Sequence, residues 1–343
     1  MSKRFLQKTL NSRYLTPLWV PLSRDRISIF TLHRFAAPEQ RVSGHDRAVL
    51  RQTLAQLRRG QYNILSLDEA VRRLRERLGF PPRSLVFTVD DGYFDFAEVG
   101  AKVFSDFDCP VTVFLTTGFL EGTHWHWWDK IDHVIRQTSA RRLSLAFKGQ
   151  ELTIQLDDSA ANRPTIAGRV ALDCTTVSES ERADFIDALA TAADVEIPAR
   201  PPARYAPMKW DDARHLERQG VSFGPHTMSH PILIQATDED AAWQIGESWR
   251  LLRQRIARPL PILAYPNGDY GSRELELVAR TGLAAAVTTE QTYAHTERFH
   301  SSDHGNLTIP RFAYPDHPDN LCLTAAGFTR LSAAVRRALP FLP

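Results

Sequence analysis

The sequence has little cysteine, no long apolar run and almost no net charge, and each shortage excludes something. Cys109, Cys174 and Cys322 are the three cysteines of 343 residues, and they lie far apart. They form neither a zinc ribbon nor a disulfide framework, and so sparse and odd a set fits a reducing compartment. No stretch approaches the ~18 apolar residues of a membrane span. The N-terminal segment is basic with scattered apolar residues and lacks the continuous apolar region of a signal peptide. The expected location is therefore cytoplasmic, or at the inner face of a membrane. Both termini mix Arg with large apolar residues in a way that suits peripheral membrane contact. The net charge is +2 and the basic residues are scattered, so no nucleic-acid partner is expected. What is present, 43% apolar and 24% charged residues, is the composition of a globular chain with a core of good size.

Apolar strand-like runs alternate with helical spacings. The run 26–32 delivers His33 and Arg34 at its end, and 46–59 has helical spacing stopped by Gly60. A short strand at 62–65 precedes a helix opened by a Ser66/Glu69 capping box. Next come a strand at 85–89, a helix over 94–107 and a strand at 110–115. From 121 to 206 the rhythm breaks into an aromatic-rich stretch, a hairpin around Lys148-Gly149-Gln150, two helices (162–173 and 178–193) and a Pro-rich connector. Alternation then resumes through helices at 209–219, 238–256 and 272–281 and strands at 221–223, 262–265 and 284–287. A last strand within 307–312 precedes a C-terminal helix over 320–339. Regular strand–helix alternation predicts a parallel α/β sheet, barrel-like or doubly wound, carrying an α+β insertion.

Four stretches carry chemistry. The run Leu85–Val89 ends in Asp90-Asp91-Gly92. Successive strand residues face opposite sides, so one carboxylate can reach a metal while its neighbour is free for proton transfer. Gly224-Pro225-His226-Thr227-Met228-Ser229-His230 places two histidines four apart, a spacing that on a helical turn suits one metal ion. Two His and one Asp leave coordination positions open, which means catalysis, although non-haem iron oxygenases use the same donors. Tyr265-Pro266-Asn267-Gly268 is either a turn or a source of a backbone N–H for an oxyanion. His33 is the fourth. All four sit at predicted strand C-termini, the ligand-binding edge of parallel α/β folds. Trp127 and Trp128 either stack on sugar or pack the insertion onto the barrel. His124 and His126 are expected at the surface.

Together these stretches resemble the polysaccharide deacetylase family, the NodB-homology carbohydrate esterases, over about 27–312 apart from the insertion. The resemblance implies a deformed, incomplete (β/α) barrel forming a single catalytic domain, with core segments at about 26–120 and 207–313. It implies Asp90 as general base and Asp91, His226 and His230 as ligands of one divalent ion, most often Zn2+, with Co2+, Ni2+ or Mn2+ as alternatives. The usual Arg-x-Pro-Tyr motif reads Ala264-Tyr265-Pro266-Asn267 here. Its arginine is absent, and Arg311 is the candidate to supply that charge. The usual C-terminal Leu-x-His motif is also not evident. Thr31-Leu32-His33-Arg34 resembles the N-terminal motif of a permuted branch, which makes His33 the candidate acid. The backbone near Asn267 would bind the oxyanion, and Trp127, Trp128, Tyr265, Pro266 and Arg311 are the candidate substrate-facing residues. The implied reaction is metal-dependent hydrolysis of an N-acetyl amide on a sugar of a surface polysaccharide, a lipid-linked precursor or a related glycoconjugate. The alternatives are a deformylase or other C–N hydrolase on a sugar lipid, and an inactive carbohydrate-binding module.

Overall fold

The structure is a computed structural model that describes residues 25–40, 42–156 and 162–328. Its centre is a parallel sheet in which β1 (Arg26–Leu32) pairs β3 (Ser84–Val89), β3 pairs β4 (Val111–Leu115) and β4 pairs β7 (Ser222–Pro225). The short β2 (Asn63–Ile64) also lies on β3. β8 (Ile262–Ala264) and β9 (Ala285–Val287) pair parallel to each other. Val287 bridges to Ile309, and β11 (Phe312–Ala313) pairs parallel with β1. The strands therefore run almost full circle, with one weak seam between β7 and β8, where Leu260 N–H donates to Phe223 O at 2.7 Å. This is the deformed, incomplete barrel. β10 (Ala294–His295) adds an antiparallel edge to β1.

The period of two along each strand builds two apolar layers. Ile27, Ile29, Val86, Phe114, Ile262, Ala264, Ala285 and Val287 face one cluster inside the ring, which α2 (Leu67–Glu76) joins through Leu67, Ala70, Val71 and Leu74. Phe30, Leu32, Leu85, Phe87, Val89, Val113, Phe223 and Leu263 face the outer layer. That layer is covered by α1 (Arg47–Arg59), α3 (Ala101–Ser105), α8 (Trp210–Arg218), α9 (Asp238–Arg255) and α10 (Ser272–Arg280). Both faces being buried explains why these strands read as continuous apolar runs. The remaining helices are α4 (Thr117–Leu120), α5 (Trp127–Gln137), α6 (Arg163–Cys174), α7 (Glu179–Ala193), α11 (Thr296–Phe299) and α12 (Pro318–Ala325).

Within the insertion, the hairpin β5 (Arg142–Phe147) and β6 (Gln150–Gln155) shares a separate apolar cluster with α5, α6 and α7. Lys148 and Gly149 turn the hairpin at φ 52° and 73°, the left-handed pair that a two-residue turn needs.

Several local expectations change. The 94–107 helix opens as a π-type turn at Phe96–Gly100 before α3. Ser66 makes no side-chain cap bond, and the Glu69 carboxylate pairs with Arg72 and Arg73 instead of closing a capping box. The last strand shrinks to β11, with Gly305–Leu307 forming a 3-10 turn. The first 24 residues and 329–343, which include the 329–339 part of the expected C-terminal helix, lie outside the described residues. No helix among the described residues is long and apolar enough to cross a membrane.

Candidate active site

Four strand ends meet at one mouth of the ring. Asp90 N–H donates to Leu32 O at 3.0 Å and His226 N–H to Leu115 O at 2.9 Å, so the parallel ladders run on into the site. Val86, Thr88 and Asp90 form the inward row of β3, which points Asp90 into the ring mouth. The chain then bends sharply, with Asp91 at φ 75° and Gly92 at φ 89°. The positive φ favours glycine at 92, and a Cβ there would also have to displace Leu115 Cδ2, 2.9 Å away.

The His226–His230 stretch is not a helical turn. Thr227 (φ 65°) and His230 (φ 56°) are left-handed, a conformation that costs roughly 1–2 kcal/mol per non-glycine residue. The loop is held from two sides. Thr117 and Gly118 of α4 donate to Thr227 O and Met228 O. Gln244 of α9 accepts from the Met228 and Ser229 N–H groups and donates to Ser229 Oγ. A Cβ at Gly118 would lie 2.5 Å from Met228 O, so the close approach excludes any side chain there.

Held this way, His226 Nε2 lies 3.6 Å and His230 Nε2 3.7 Å from Asp91 Oδ1. The three donor atoms are within 4.8 Å of one another, and all three residues are buried. His226 Nδ1 lies 2.7 Å from Ala264 O. A carbonyl only accepts, so that nitrogen carries the proton and Nε2 presents a lone pair, the arrangement expected of a metal-bound imidazole. Asp91 Oδ1 is buried without a hydrogen-bond partner. Burial disfavours the His226 cation, but Asp91 and Asp90 outweigh it and raise its pKa. Burial and the adjacent His226 push His230 down to about 3. Burial alone would raise Asp91; the surrounding histidines instead hold it well below the usual carboxylate range. An ionised carboxylate, two imidazole lone pairs and an orphaned buried oxygen fit a divalent cation.

Asp90 is held differently. Arg311 reaches it with two parallel bonds, Nη1–Oδ1 and Nη2–Oδ2, both 2.8 Å. Arg311 also donates to Thr88 Oγ1 and Thr288 O, and it is fully buried. It therefore does not face substrate as expected; it clamps the carboxylate. Burial would raise the Asp90 pKa, but Arg311 and then His226 hold it below the ordinary value. Pro266 is likewise buried and outside the cleft lining, a second correction to the substrate-facing set.

A cleft of about 450 Å³ opens over these groups and is lined by His33, Asp90, Asp91, His226, His230, Trp127, Trp128, Tyr265 and Asn267. Insertion helix α6 adds Gly168, Ala171 and Leu172 to its outer wall, and Leu172 is 67% exposed. The His33 side chain is half exposed, with Nε2 3.9 Å from Asp90 Oδ2. That gap is too narrow to bracket an amide, so the imidazole has to swing outward to lie across from Asp90. Asn267 is left-handed, at φ 56°.

The sequence did not mark the polar girdle behind the cleft. His126 is fully buried, contrary to its expected surface position, and stacks on Trp128 at 4.4 Å. Trp128 packs edge-on to His230 at 4.7 Å and donates its Nε1–H to Tyr93 Oη. Tyr93 in turn donates to Asp129 at 2.6 Å. Arg34 lies 3.8 Å over the Tyr93 ring and binds Asp95. Asp95 was visible in the same Asp-Asp-Gly-Tyr-Phe-Asp stretch, as the next carboxylate along.

Burial pushes the Asp129 carboxyl up to about 7, against the pull of Arg34. A raised carboxyl stabilises the fold below its unfolded pKa, and that contribution is lost as pH rises through the folded value. Asp129→Asn, whose amide oxygen can still accept from Tyr93, should therefore gain on the native protein between pH 5 and pH 8. The expected gain is roughly 2–3 kcal/mol at ~1.36 kcal/mol per unit. Melts of chelator-treated protein at the two pH values test this; a pH-independent difference refutes it.

Comparison with known proteins bears on the family and the fold. Residues 191–286 match the family model Polysaccharide deacetylase. The Bacillus subtilis (strain 168) protein named "Putative polysaccharide deacetylase YxkH" is 26% identical over 80 residues, 23% of this chain and 29% of that protein. The chain thus matches less than a third of the length of that curated relative. The deacetylase PplD of Streptococcus pyogenes, solved in complex with acetate, superposes with a TM-score of 0.57 at 19% identity, covering 88% of this chain and 98% of that one. IcaB from Ammonifex degensii gives 0.53 at 14% identity, covering 88% and 96%. The fold is that of these proteins, and residues 191–286 carry the match to the polysaccharide deacetylase family.

Proposed function

We propose that the protein is a carbohydrate de-N-acetylase that hydrolyses an N-acetyl amide on a sugar, using one divalent ion held by Asp91, His226 and His230. The observation that supports this most is the convergence of those three donors beside a second, separately clamped carboxylate at the floor of an open cleft. A metal ion bound there supplies Lewis-acid polarisation of the carbonyl and a bound water of lowered pKa.

Asp90 stays ionised through its Arg311 clamp and takes the proton of the attacking water. Arg311 fixes its orientation from a site 221 positions away in sequence. The Asn267 backbone N–H, at the edge of the cleft, is assigned to the developing oxyanion. His33, half exposed at the cleft edge, protonates the departing amine, without which an amide nitrogen is a poor leaving group. Trp128, fixed by His126 and Tyr93, offers an aromatic wall for the sugar.

The direct test is acetate and formate release from N-acetylated and N-formylated amino sugars. Chelated protein should be inactive, and protein reloaded with Zn2+, Co2+, Ni2+ or Mn2+ should release acetate. Absence of acetate with every metal refutes the reading. For His33→Ala, amide turnover should fall by roughly 10²–10⁴ at unchanged metal content. An activated ester, whose leaving group needs no proton, should suffer much less. Equal losses on both substrates remove His33 from the role of acid.

A further inference from the structure

Asp95 is a buried carboxylate, 2% exposed, and it lies outside the lining of the cleft. The reaction derived above gives it no part. Its two oxygens take donors from one short segment. Arg34 Nε donates to Oδ2 at 2.5 Å, and the Phe35 N–H donates to Oδ1 at 2.9 Å. Arg34 and Phe35 are the two residues that follow His33. Two converging donors, one of them a guanidinium, suit an ionised acceptor with two oxygens.

The backbone is tied on both sides of His33. Leu32 O accepts the Asp90 N–H at 3.0 Å, and Arg34 O accepts the His45 N–H at 2.9 Å. The Arg34 guanidinium also donates to Arg204 O at 2.7 Å while it lies over the Tyr93 ring. The Phe35 ring packs on Phe96, the first residue of the π-type turn. It also lies against Gly100, where a Cβ would come within 2.9 Å of Phe35 Cζ. The imidazole of His33 is half exposed, with Nε2 3.9 Å from Asp90 Oδ2. Its place over the cleft therefore depends on where the backbone holds its Cα.

One stretch of chain thus carries the base Asp90, the donor Asp91 and, through Asp95, the anchor of the segment that bears His33. A proton donor and a proton acceptor that act on one bond need a fixed separation. Tying both to the same stretch supplies it. We infer that Asp95 is a positioning residue for the acid: it sets His33 against Asp90 without lining the cleft itself. The inference rests on the de-N-acetylase reading, with His33 as its acid.

Asp95→Asn tests it. The amide has one acceptor oxygen where two donors converge, so Arg34 or Phe35 is released. Turnover of an N-acetylated sugar should fall by roughly 10–10²-fold, the cost of a small misplacement, at nearly constant KM and metal content. An activated ester, whose leaving group needs no acid, should lose less than about threefold. In a His33→Ala background the same change should add little to the loss on the amide, because the group it positions is gone. Equal losses on amide and ester, or full additivity with His33→Ala, overturn the role, since a general loosening of the fold gives both. If Asp95→Asn does not fold, Gly100→Ala takes its place. Gly100 is helical, at φ −64° and ψ −50°, so its backbone accepts Ala while the new Cβ presses on the Phe35 ring. The same amide-selective loss is expected and the same outcomes overturn it. Histidine-selective NMR needs no turnover. The His33 ring signal, identified by its absence from His33→Ala, should shift or broaden in Asp95→Asn while those of His300 and His304 stay in place. That result, with no acetate released by native protein, supports the anchor and counts against the catalytic reading alone. A His33 signal that Asp95→Asn leaves unchanged overturns the anchor.

Discussion

His226→Ala should yield folded protein that no longer retains a metal ion and no longer releases acetate. His226 is the best prepared of the three donors, because Ala264 O takes its Nδ1 proton and leaves Nε2 facing Asp91 Oδ1 at 3.6 Å. An Ala there leaves His230 and Asp91, and two protein donors are too few for a catalytic zinc. The backbone supports of the loop, α4 and Gln244, do not involve the imidazole, so the fold should survive. Metal content after gel filtration against a mild chelator, with circular dichroism as the control for folding, gives the answer. The same geometry fixes the pH dependence. His226 has a raised pKa, so proton and metal compete for it, and metal affinity should weaken as pH falls through that value. Retention of a full equivalent of metal by His226→Ala would move the ion elsewhere.

Much of this site was legible because strand ends announce themselves. An apolar run that stops at Asp90-Asp91-Gly92 must turn there, and parallel alternation puts every such stop at one edge of the sheet. His33, His226 and Asn267 were placed by the same reasoning. What was not legible depended on tertiary contact. The family resemblance nominated Arg311 for the missing motif arginine, but nothing local to Arg311 says that its guanidinium crosses the ring to Asp90, and an arginine near the last strand reads equally well as a substrate contact. Pro225 and Pro231 discouraged a helix through the two histidines, but only the contacts with α4 and Gln244 fix the strained loop that replaces it. His126 sits in a His-Trp-His-Trp-Trp-Asp stretch whose polarity suggests a surface. Its burial comes from Tyr93, Phe119 and Trp128, drawn from both sides of the sequence.

Asp90→Asn should keep the metal and lose turnover by roughly 10²–10⁴, the usual contribution of a positioned general base. Asp90 is not in the donor triad, and its two oxygens face Arg311 instead. The amide keeps the volume but cannot accept the proton of the attacking water. It also returns an NH2 group to one guanidinium N–H, so the clamp loses a bond and Arg311 is left buried without its counter-charge. Breaking a buried pair from one side costs ~3–5 kcal/mol, so a lowered melting temperature should accompany the loss of activity. The two effects separate by substrate. If the variant is inactive only because the site has loosened, KM for the N-acetylated sugar should rise with the fall in kcat. If the carboxylate is the base, kcat should fall at nearly constant KM, and the pH–rate profile should lose its acid limb. Loss of the metal on this substitution would exchange the roles of Asp90 and Asp91, and make Arg311 a support of the metal site instead of the base.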